Sequence, residues 1–414
     1  MIPSADTPAA QRFAAFRHRP FLSYWAARFI STFATQIVSV AVGWQVYDLT
    51  RDPFDLGIVG IVQFLPALLL VLVTGVIADR FGRRLIMAVA IVVEAACAGA
   101  LLFLTLRGGG GGPLPIFAIL AAFGVARAFF GPASSSLFAN LVPPRDFANA
   151  IAWNSSAWQM ATITGPVAGG LLYGFSPQAA YIAAALLMLV AAGLILTIPK
   201  PTQKNETTKA TVQTLFAGFG YIWGEKVVLG AISLDLFAVL LSGATALLPV
   251  YARDILQLGP WGLGLLRSAP GIGAITVAIW LAGHPIRNHA GVIMLGFVAM
   301  FGAFTIVFGL STIPWLSIAA LVLLGATDMF SVYVRETLIQ LWTPDEVRGR
   351  VNAVNQVFVG ASNELGEFRA GTMAALIGTV PAVVIGGVGA VAVAGIWAYL
   401  FPALRNVRHL NSRG

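Results

Sequence analysis

The sequence predicts an all-α integral membrane protein: twelve transmembrane helices in two pseudo-symmetric six-helix bundles. Three observations predict it. About a dozen apolar segments are each long enough to cross a bilayer, which takes about 20 residues of helix. The chain of 414 residues is 58% hydrophobic and 10% charged, whereas soluble domains carry about 25% charged residues, so a water-exposed globule is excluded. The Lys and Arg residues also alternate in density from one polar break to the next, as they do when successive loops lie on opposite sides of a membrane. Hydrocarbon offers no partner for backbone N–H and C=O groups, so apolar segments of this length are helices.

Taken in order, residues 1–20 form a polar cytoplasmic segment with Arg12, Arg17 and Arg19, and the apolar run that follows is too long for a cleavable signal. The first bundle, 21–198, holds spans 21–47, 56–78, 85–106, 114–140, 150–174 and 178–198. Pro177 marks the tight turn between the last two. The glycine run from Gly108 to Gly112 reads as a flexible outer connector. Residues 199–226 are the longest polar break. They open with Lys and Pro and continue through Phe216, Phe219, Tyr221, Ile222 and Trp223 at helical spacing, as in an amphipathic helix lying on the membrane surface. The second bundle, 227–401, holds spans 227–250, 261–283, 290–311, 314–341, 351–372 and 380–401, with Pro314 at its own tight turn. Residues 402–414 form a cytoplasmic tail. With both termini inside, 17 of the 25 Lys and Arg fall in cytoplasmic segments and only Arg51, Arg107 and Arg253 fall outside; a missed span would invert every later loop and spoil that alternation.

Net charge is +8 and the isoelectric point about 10. In this setting the positive-inside bias accounts for the excess, and nucleic acid is not an expected partner. The single cysteine, Cys97, lies inside an apolar run, which excludes an internal disulfide and argues against a thiolate metal site. Two short alignments relate the halves. Gln63-Phe64-Leu65-Pro66 matches Arg267-Ser268-Ala269-Pro270. Leu141 to Asn154 matches Leu341 to Asn355 with one insertion, through Pro143-Pro144 and Pro344. Parallel repeats of this kind place a substrate site between the halves, near the midplane.

Between spans two and three runs Gly75-Val76-Ile77-Ala78-Asp79-Arg80-Phe81-Gly82-Arg83-Arg84. Gly75 suits close helix packing, Gly82 a sharp turn, Asp79 a helix cap or an arginine, and the arginines hold the loop inside. The pattern resembles the cytoplasmic signature of the major facilitator superfamily. Its counterpart in the second half, Gly283 to His289, is degenerate and has no acid matching Asp79. Gly165-Pro166-Val167-Ala168-Gly169-Gly170 in span five is similar to the motif of antiporter members; read from the residues alone it is a packing kink. The stretch from Arg335 to Glu367 is similar to the subfamily of enterobactin-type siderophore exporters and macrolide efflux proteins. The resemblance covers about Arg28 to Glu367. It implies a secondary active transporter that exports a small drug-like or siderophore-like molecule by alternating access, driven by inward proton flow. Rival readings are a lysophospholipid flippase or uptake symporter of the same fold, and a non-transporting membrane sensor or scaffold.

Ionisable residues within spans are costly and mark function by default. The deep set comprises Glu94, Arg127, Asp235, Asp328, Arg335, Glu336, Glu364, Glu367 and Arg369. Asp328 and Arg335, seven apart, share a helix face, as do Glu364 and Glu367. Their partners stay open at this stage: they either tie helices together or form a proton/charge network, with Asp235, Glu364 and Glu367 the first carboxylates to test. Arg28 and Arg267 lie shallow enough to snorkel to water, and Asp48 falls at the outer boundary, where solvation is expected. No P-loop, zinc or serine-hydrolase motif occurs, so the expectation is no enzyme, no cofactor, no metal and no catalytic residue. The expected setting is the inner (plasma) membrane, multi-pass, with both termini cytoplasmic. The expected partners are the lipid bilayer, a small-molecule substrate and a coupling proton, in a monomer whose oligomeric state nothing in the sequence fixes.

Overall fold

The computed structural model describes residues 12–108, 111–199, 219–286 and 288–408, with the backbone alone described at 71–73, 75, 76, 78–80 and 346. Among these residues there are twelve long helices: α1 Arg19–Thr50, α2 Pro53–Arg80, α3 Arg83–Leu106, α4 Leu114–Phe138, α5 Phe147–Phe175, α6 Pro177–Thr197, α7 Lys226–Ser242, α8 Gly259–Gly283, α9 Ala290–Leu310, α10 Pro314–Trp342, α11 Asp345–Ile377 and α12 Thr379–Leu400. Each coincides with a span expected from the sequence. Ten spanning segments pass a test of length and apolarity among the described residues. The exceptions, α5 and α11, are the helices richest in polar side chains: Asn149, Asn154 and Gln159 in the first, and Glu364, Glu367 and Arg369 among others in the second.

One departure from the expected spans is instructive. The span written as 227–250 stops being regular at Gly243, whose φ of +47° is left-handed. An L side chain rarely adopts that angle, and a Cβ there would collide with the Gly366 carbonyl of α11. The chain continues as a 3₁₀ turn, Ala244–Leu247, and a π turn, Tyr251–Ile255. Breaking a spanning helix frees carbonyls that hydrocarbon cannot satisfy. Arg369 of α11 answers by donating to the Leu241 carbonyl.

The chain forms two compact units. The first comprises residues 1–42 and 65–208, the second 43–64 and 209–414. Within the first, α3 packs on α4 and α6, and α5 lies on α1. Gly165 and Gly169 make that last contact: a Cβ at Gly169 would sit 3.0 Å from the Ile37 Cα, and one at Gly165 2.6 Å from the Gln36 Cβ. Within the second, α9 packs on α10 and α12, and α7 on α11, where a Cβ at Gly366 would lie 2.8 Å from the Val239 carbonyl. The pairings α3–α6, α3–α4 and α1–α5 therefore recur as α9–α12, α9–α10 and α7–α11. Pro66 and Pro270, aligned from sequence, both lie inside their helices.

Of the expected surface helix in 199–226, the described portion is a helical stub at 219–224. Its Tyr221 donates to the Trp342 carbonyl at 3.0 Å, and Phe219 meets Phe358 edge-on. Residues 200–218 and the chain's first eleven and last six residues lie outside the described ones.

Candidate functional site

The intramembrane charges separate into distinct groups, each set by the helices that carry it. In the second unit, Arg335 of α10 forms an ion pair with Asp235 of α7, at exposures of only 3% and 6%. Its Nε also lies 3.7 Å from Glu336, and Glu336 accepts a hydrogen bond of 2.9 Å from Asn355 of α11. Asp328 stands two turns from Arg335 on the same face, within electrostatic reach of both Asp235 and Arg335. The network thus ties α7, α10 and α11 together. Arg335 pairs with Asp235 and not with Glu364, an alternative that the helical rise had left open at long reach.

A second group sits on the other face of α11. Glu364 and Glu367 share electrostatic contact with Arg267 of α8. Arg267, expected from its depth to snorkel to water, is half-buried and has these two half-buried carboxylates within electrostatic reach. The neighbouring backbone belongs to the 43–64 hairpin. A Cβ at Gly60 would lie 2.7 Å from Glu364 Oε2 and 3.5 Å from Glu367 Oε2, and one at Gly43 3.5 Å from Arg267 Nη2.

A third group lies where α1 ends and the π turn follows α7. Arg253 ion-pairs with Asp48 and lies over the Trp44 ring, 5.4 Å from its centroid. Arg51 approaches Asp254 at 3.4 Å and Asp48 at 3.8 Å, and the Tyr47 hydroxyl donates to Asp254. Asp48, expected to be solvated at the outer boundary, is exposed and also paired. Tyr47 and Asp254 went unnoticed from sequence. Their signal is the clustering of Asp48, Arg51, Arg253 and Asp254 at two outer breaks that are otherwise poor in charge.

The first unit is chemically different. Arg28 of α1, half-buried, donates to the Ser134 hydroxyl of α4 at 2.9 Å, where the Tyr24 hydroxyl also bonds at 2.8 Å. Glu94 of α3 is buried at 3% exposure and feels the charge of Arg127 of α4, itself exposed. Among the described residues no ion pair joins them.

The cytoplasmic motif is only partly visible. Gly75, Asp79 and Arg80 belong to helical backbone of α2, and the Asp79 and Arg80 side chains lie outside the described residues. Gly82 precedes α3 with φ −60°, an angle open to any residue, so its turn does not depend on glycine, contrary to the expectation from sequence. Arg83 donates to the Ser136 carbonyl at 3.1 Å, and Arg84 to the Leu196 and Ile198 carbonyls. Both arginines thereby cover the carbonyl-rich C-terminal ends of α4 and α6, where cations are favoured. In the antiporter-like motif Gly165 and Gly169 make the α1–α5 contact above, while Pro166 and Gly170 are buried inside α5. A clamp at the start of α1 also had no sign in the sequence. The Ala15 amide donates to Asn149, the Asn149 and Trp153 side chains donate to the Arg12 carbonyl, and His18 meets Asp146 at 2.8 Å.

Among the described residues no group of His, Cys, Asp and Glu could hold a metal ion. Charged pairs and carboxylates buried among long apolar helices define a multi-pass membrane protein with ionisable groups inside the bilayer. The family model of the Major Facilitator Superfamily matches residues 24–366, and the chain belongs to that superfamily. It is 29% identical over 281 residues to the multidrug efflux pump Tap of Mycobacterium tuberculosis, covering 63% of this chain and 66% of that one. It is 24% identical to macrolide efflux protein A of Streptococcus pyogenes, covering 56% and 59%. With the enterobactin exporter EntS of Shigella boydii it shares 24% identity over 88% and 87% of the two chains. The match to Tap and to macrolide efflux protein A thus spans about two thirds or less of those relatives. Among solved structures, a bacterial homologue of the human lysosomal transporter Spinster superposes with a TM-score of 0.71 at 15% identity, covering 96% of this chain and 97% of that one. A POT family transporter gives 0.72 at 13%, covering 93% and 96%.

Proposed function

We propose that the protein is a secondary active transporter that exports a small organic molecule, drug-like or siderophore-like, in exchange for protons. It would act as a monomer in the inner (plasma) membrane with both termini cytoplasmic. Bundles 21–198 and 227–401 rock to open a central chamber to either side in turn. One observation carries the reading: among the described residues the second unit sets Asp235, Asp328, Glu364 and Glu367 within its spanning helices, the first two within reach of Arg335 and the last two within reach of Arg267. An intramembrane carboxylate beside a guanidinium takes up or releases a proton when that distance changes. The efflux names of Tap, macrolide efflux protein A and EntS support the direction. The Asp79 motif is proposed to stabilise one conformational state, so that Asp79→Asn slows transport while leaving the protein in the membrane.

The test uses everted membrane vesicles holding the full chain, with a macrolide, a catecholate siderophore and ethidium as probes. Uptake into the vesicles that needs an inside-acid gradient and collapses with a protonophore is the expected result. Movement of a probe in the opposite direction would replace export with uptake. Absence of flux for every probe, together with tolerance of substitutions at the deep charges, would favour a non-transporting sensor.

A further inference from the structure

Residues 43–64 are a hairpin of the last turns of α1, the Arg51–Asp52 corner and the first half of α2. They pack within the second unit. At the rim the hairpin is held by the charged group of Asp48, Arg51, Arg253, Asp254 and Tyr47. Below it, contact is made through glycines, and these are of two kinds. Gly57 and Gly371 bring backbones together: a Cβ at Gly57 would lie 3.1 Å from the Phe368 Cα, and one at Gly371 2.9 Å from the Gly57 Cα. Gly60, one turn further along α2, faces no backbone. The space its missing side chain leaves is taken by the Glu364 carboxylate, with Glu367 beside it.

A Cβ at Gly60 would displace only the far end of a flexible side chain. Its consequence is to move a charge, not to push helices apart. Among the described residues the charged group facing Glu364 and Glu367 is Arg267 of α8. Of the hairpin's glycines, Gly43 faces Arg267, and Gly60 faces Glu364 and Glu367. Arg369, on α11 itself, is directed to the Leu241 carbonyl of α7. Two carboxylates thus lie within reach of one guanidinium beneath this hairpin.

We propose that Gly60 is a positioning residue: it seats the Glu364 carboxylate against the backbone of α2, so that the charge of the Glu364/Glu367 pair sets how the 43–64 hairpin fits on α8 and α11. The inference deepens the proposed function, because it rests on these carboxylates carrying the coupling proton. The step is a simple proton transfer. A carboxylate oxygen takes a proton from hydronium, leaving water, and later returns it to water on the other side. While protonated, that carboxyl loses its attraction to Arg267 and leaves its seat under Gly60. The hairpin then keeps its rim group and its glycine contacts with α11, and loses the charge that fits it on α8.

The experiment uses the full chain in lipid nanodiscs on a Cys97→Ala background, spin-labelled at Leu49→Cys in the hairpin and Trp261→Cys in α8, two exposed positions. Interlabel distances are read between pH 5 and pH 9. The expected result is one titration step in the distance distribution, absent in the Glu364→Gln/Glu367→Gln double variant. Gly60→Ala moves its midpoint by about half a pH unit, roughly threefold in proton affinity. Glu364→Asp, which withdraws the carboxylate by one methylene, brings the midpoint of Gly60→Ala back. Gly57→Ala, which meets backbone, alters the distances without moving the midpoint. If Gly60→Ala titrates as the parent does, or if Gly57→Ala moves the midpoint equally, Gly60 is a packing residue and the inference is overturned, while the proton role of the carboxylates stands on the double variant. A parent protein whose distances ignore pH overturns the inference outright. Unimpaired proton-driven transport in the double variant would separately remove the proposed function.

Discussion

The same slot in the two halves is filled with opposite chemistry. Arg28 is the tenth residue of α1, and Asp235 is the tenth of α7. Each reaches across to the fourth helix of its own half, near the same height: Arg28 to the Ser134 hydroxyl of α4, Asp235 to Arg335 of α10. In the first unit the link joins a guanidinium to a neutral hydroxyl. In the second it is an ion pair flanked by further carboxylates at Asp328 and Glu336. The repeat therefore preserves where helices are joined while the joining groups diverge. One half has a polar link at this slot, and the other an ion pair with more carboxylates around it.

The comparison is broken most forcefully at the ion pair. Asp235→Ala leaves Arg335 buried without its partner, a loss of about 3–5 kcal/mol for a stranded buried charge. Thermal unfolding in detergent should show it, and the Asp235→Leu/Arg335→Leu double variant should recover most of the loss. Equal damage in the single and double variants would mean that the pair is held for something other than charge balance. The next largest effect belongs to the close contact of α1 and α5. Gly169→Ala places a Cβ 3.0 Å from the Ile37 Cα, where backbone has to yield, and overpacking of this kind costs about 1–3 kcal/mol. Gly43→Ala, with its nearest neighbour at 3.5 Å, should leave the unfolding temperature unchanged.

Ser134→Ala sharpens the contrast between the two slots. It removes a hydrogen bond to a charged donor, worth about 1.5–3 kcal/mol at most, and leaves Arg28 to find water or another acceptor. Stability should fall less than in Asp235→Ala, and the pH profile of transport should not move, since no carboxylate is touched. A shifted profile would show that the first unit also contributes to coupling. The smallest effect is expected at the cytoplasmic ends of the helices. Arg83→Gln withdraws a cation from the C-terminal carbonyls of α4, a contribution of about 0.3–1 kcal/mol, visible as a drop of a few degrees or less in the unfolding temperature.

The fold was legible because the bilayer allows so few solutions. Apolar length gave all twelve helices, and the alternation of loop charge agrees with an even count. What the sequence left dark depends on side-chain reach across helices. Helical rise alone set Asp328 and Glu364 at the same depth, but it cannot say which face of α10 meets α7, so the partner of Arg335 stayed open. The break in α7 was hidden because Gly243 sits in an apolar run, where glycine reads equally as packing or as a left-handed corner. Depth counted along a helix set Arg28 and Arg267 within reach of water, but it says nothing of neighbours on other helices such as Ser134 and the Glu364/Glu367 pair. Gly60 carries no chemistry of its own, and only the neighbouring carboxylates give it meaning.

The central claim, that the buried acids of the second unit couple transport to protons, is tested most directly by separating coupling from carriage. Purified protein in proteoliposomes is assayed with a radiolabelled macrolide or siderophore in two modes: movement driven by an imposed pH gradient, and exchange against unlabelled probe with no gradient. The account predicts that Glu364→Gln/Glu367→Gln loses the gradient-driven mode and keeps the exchange. Gradient-driven accumulation at the parent rate in that variant would contradict it.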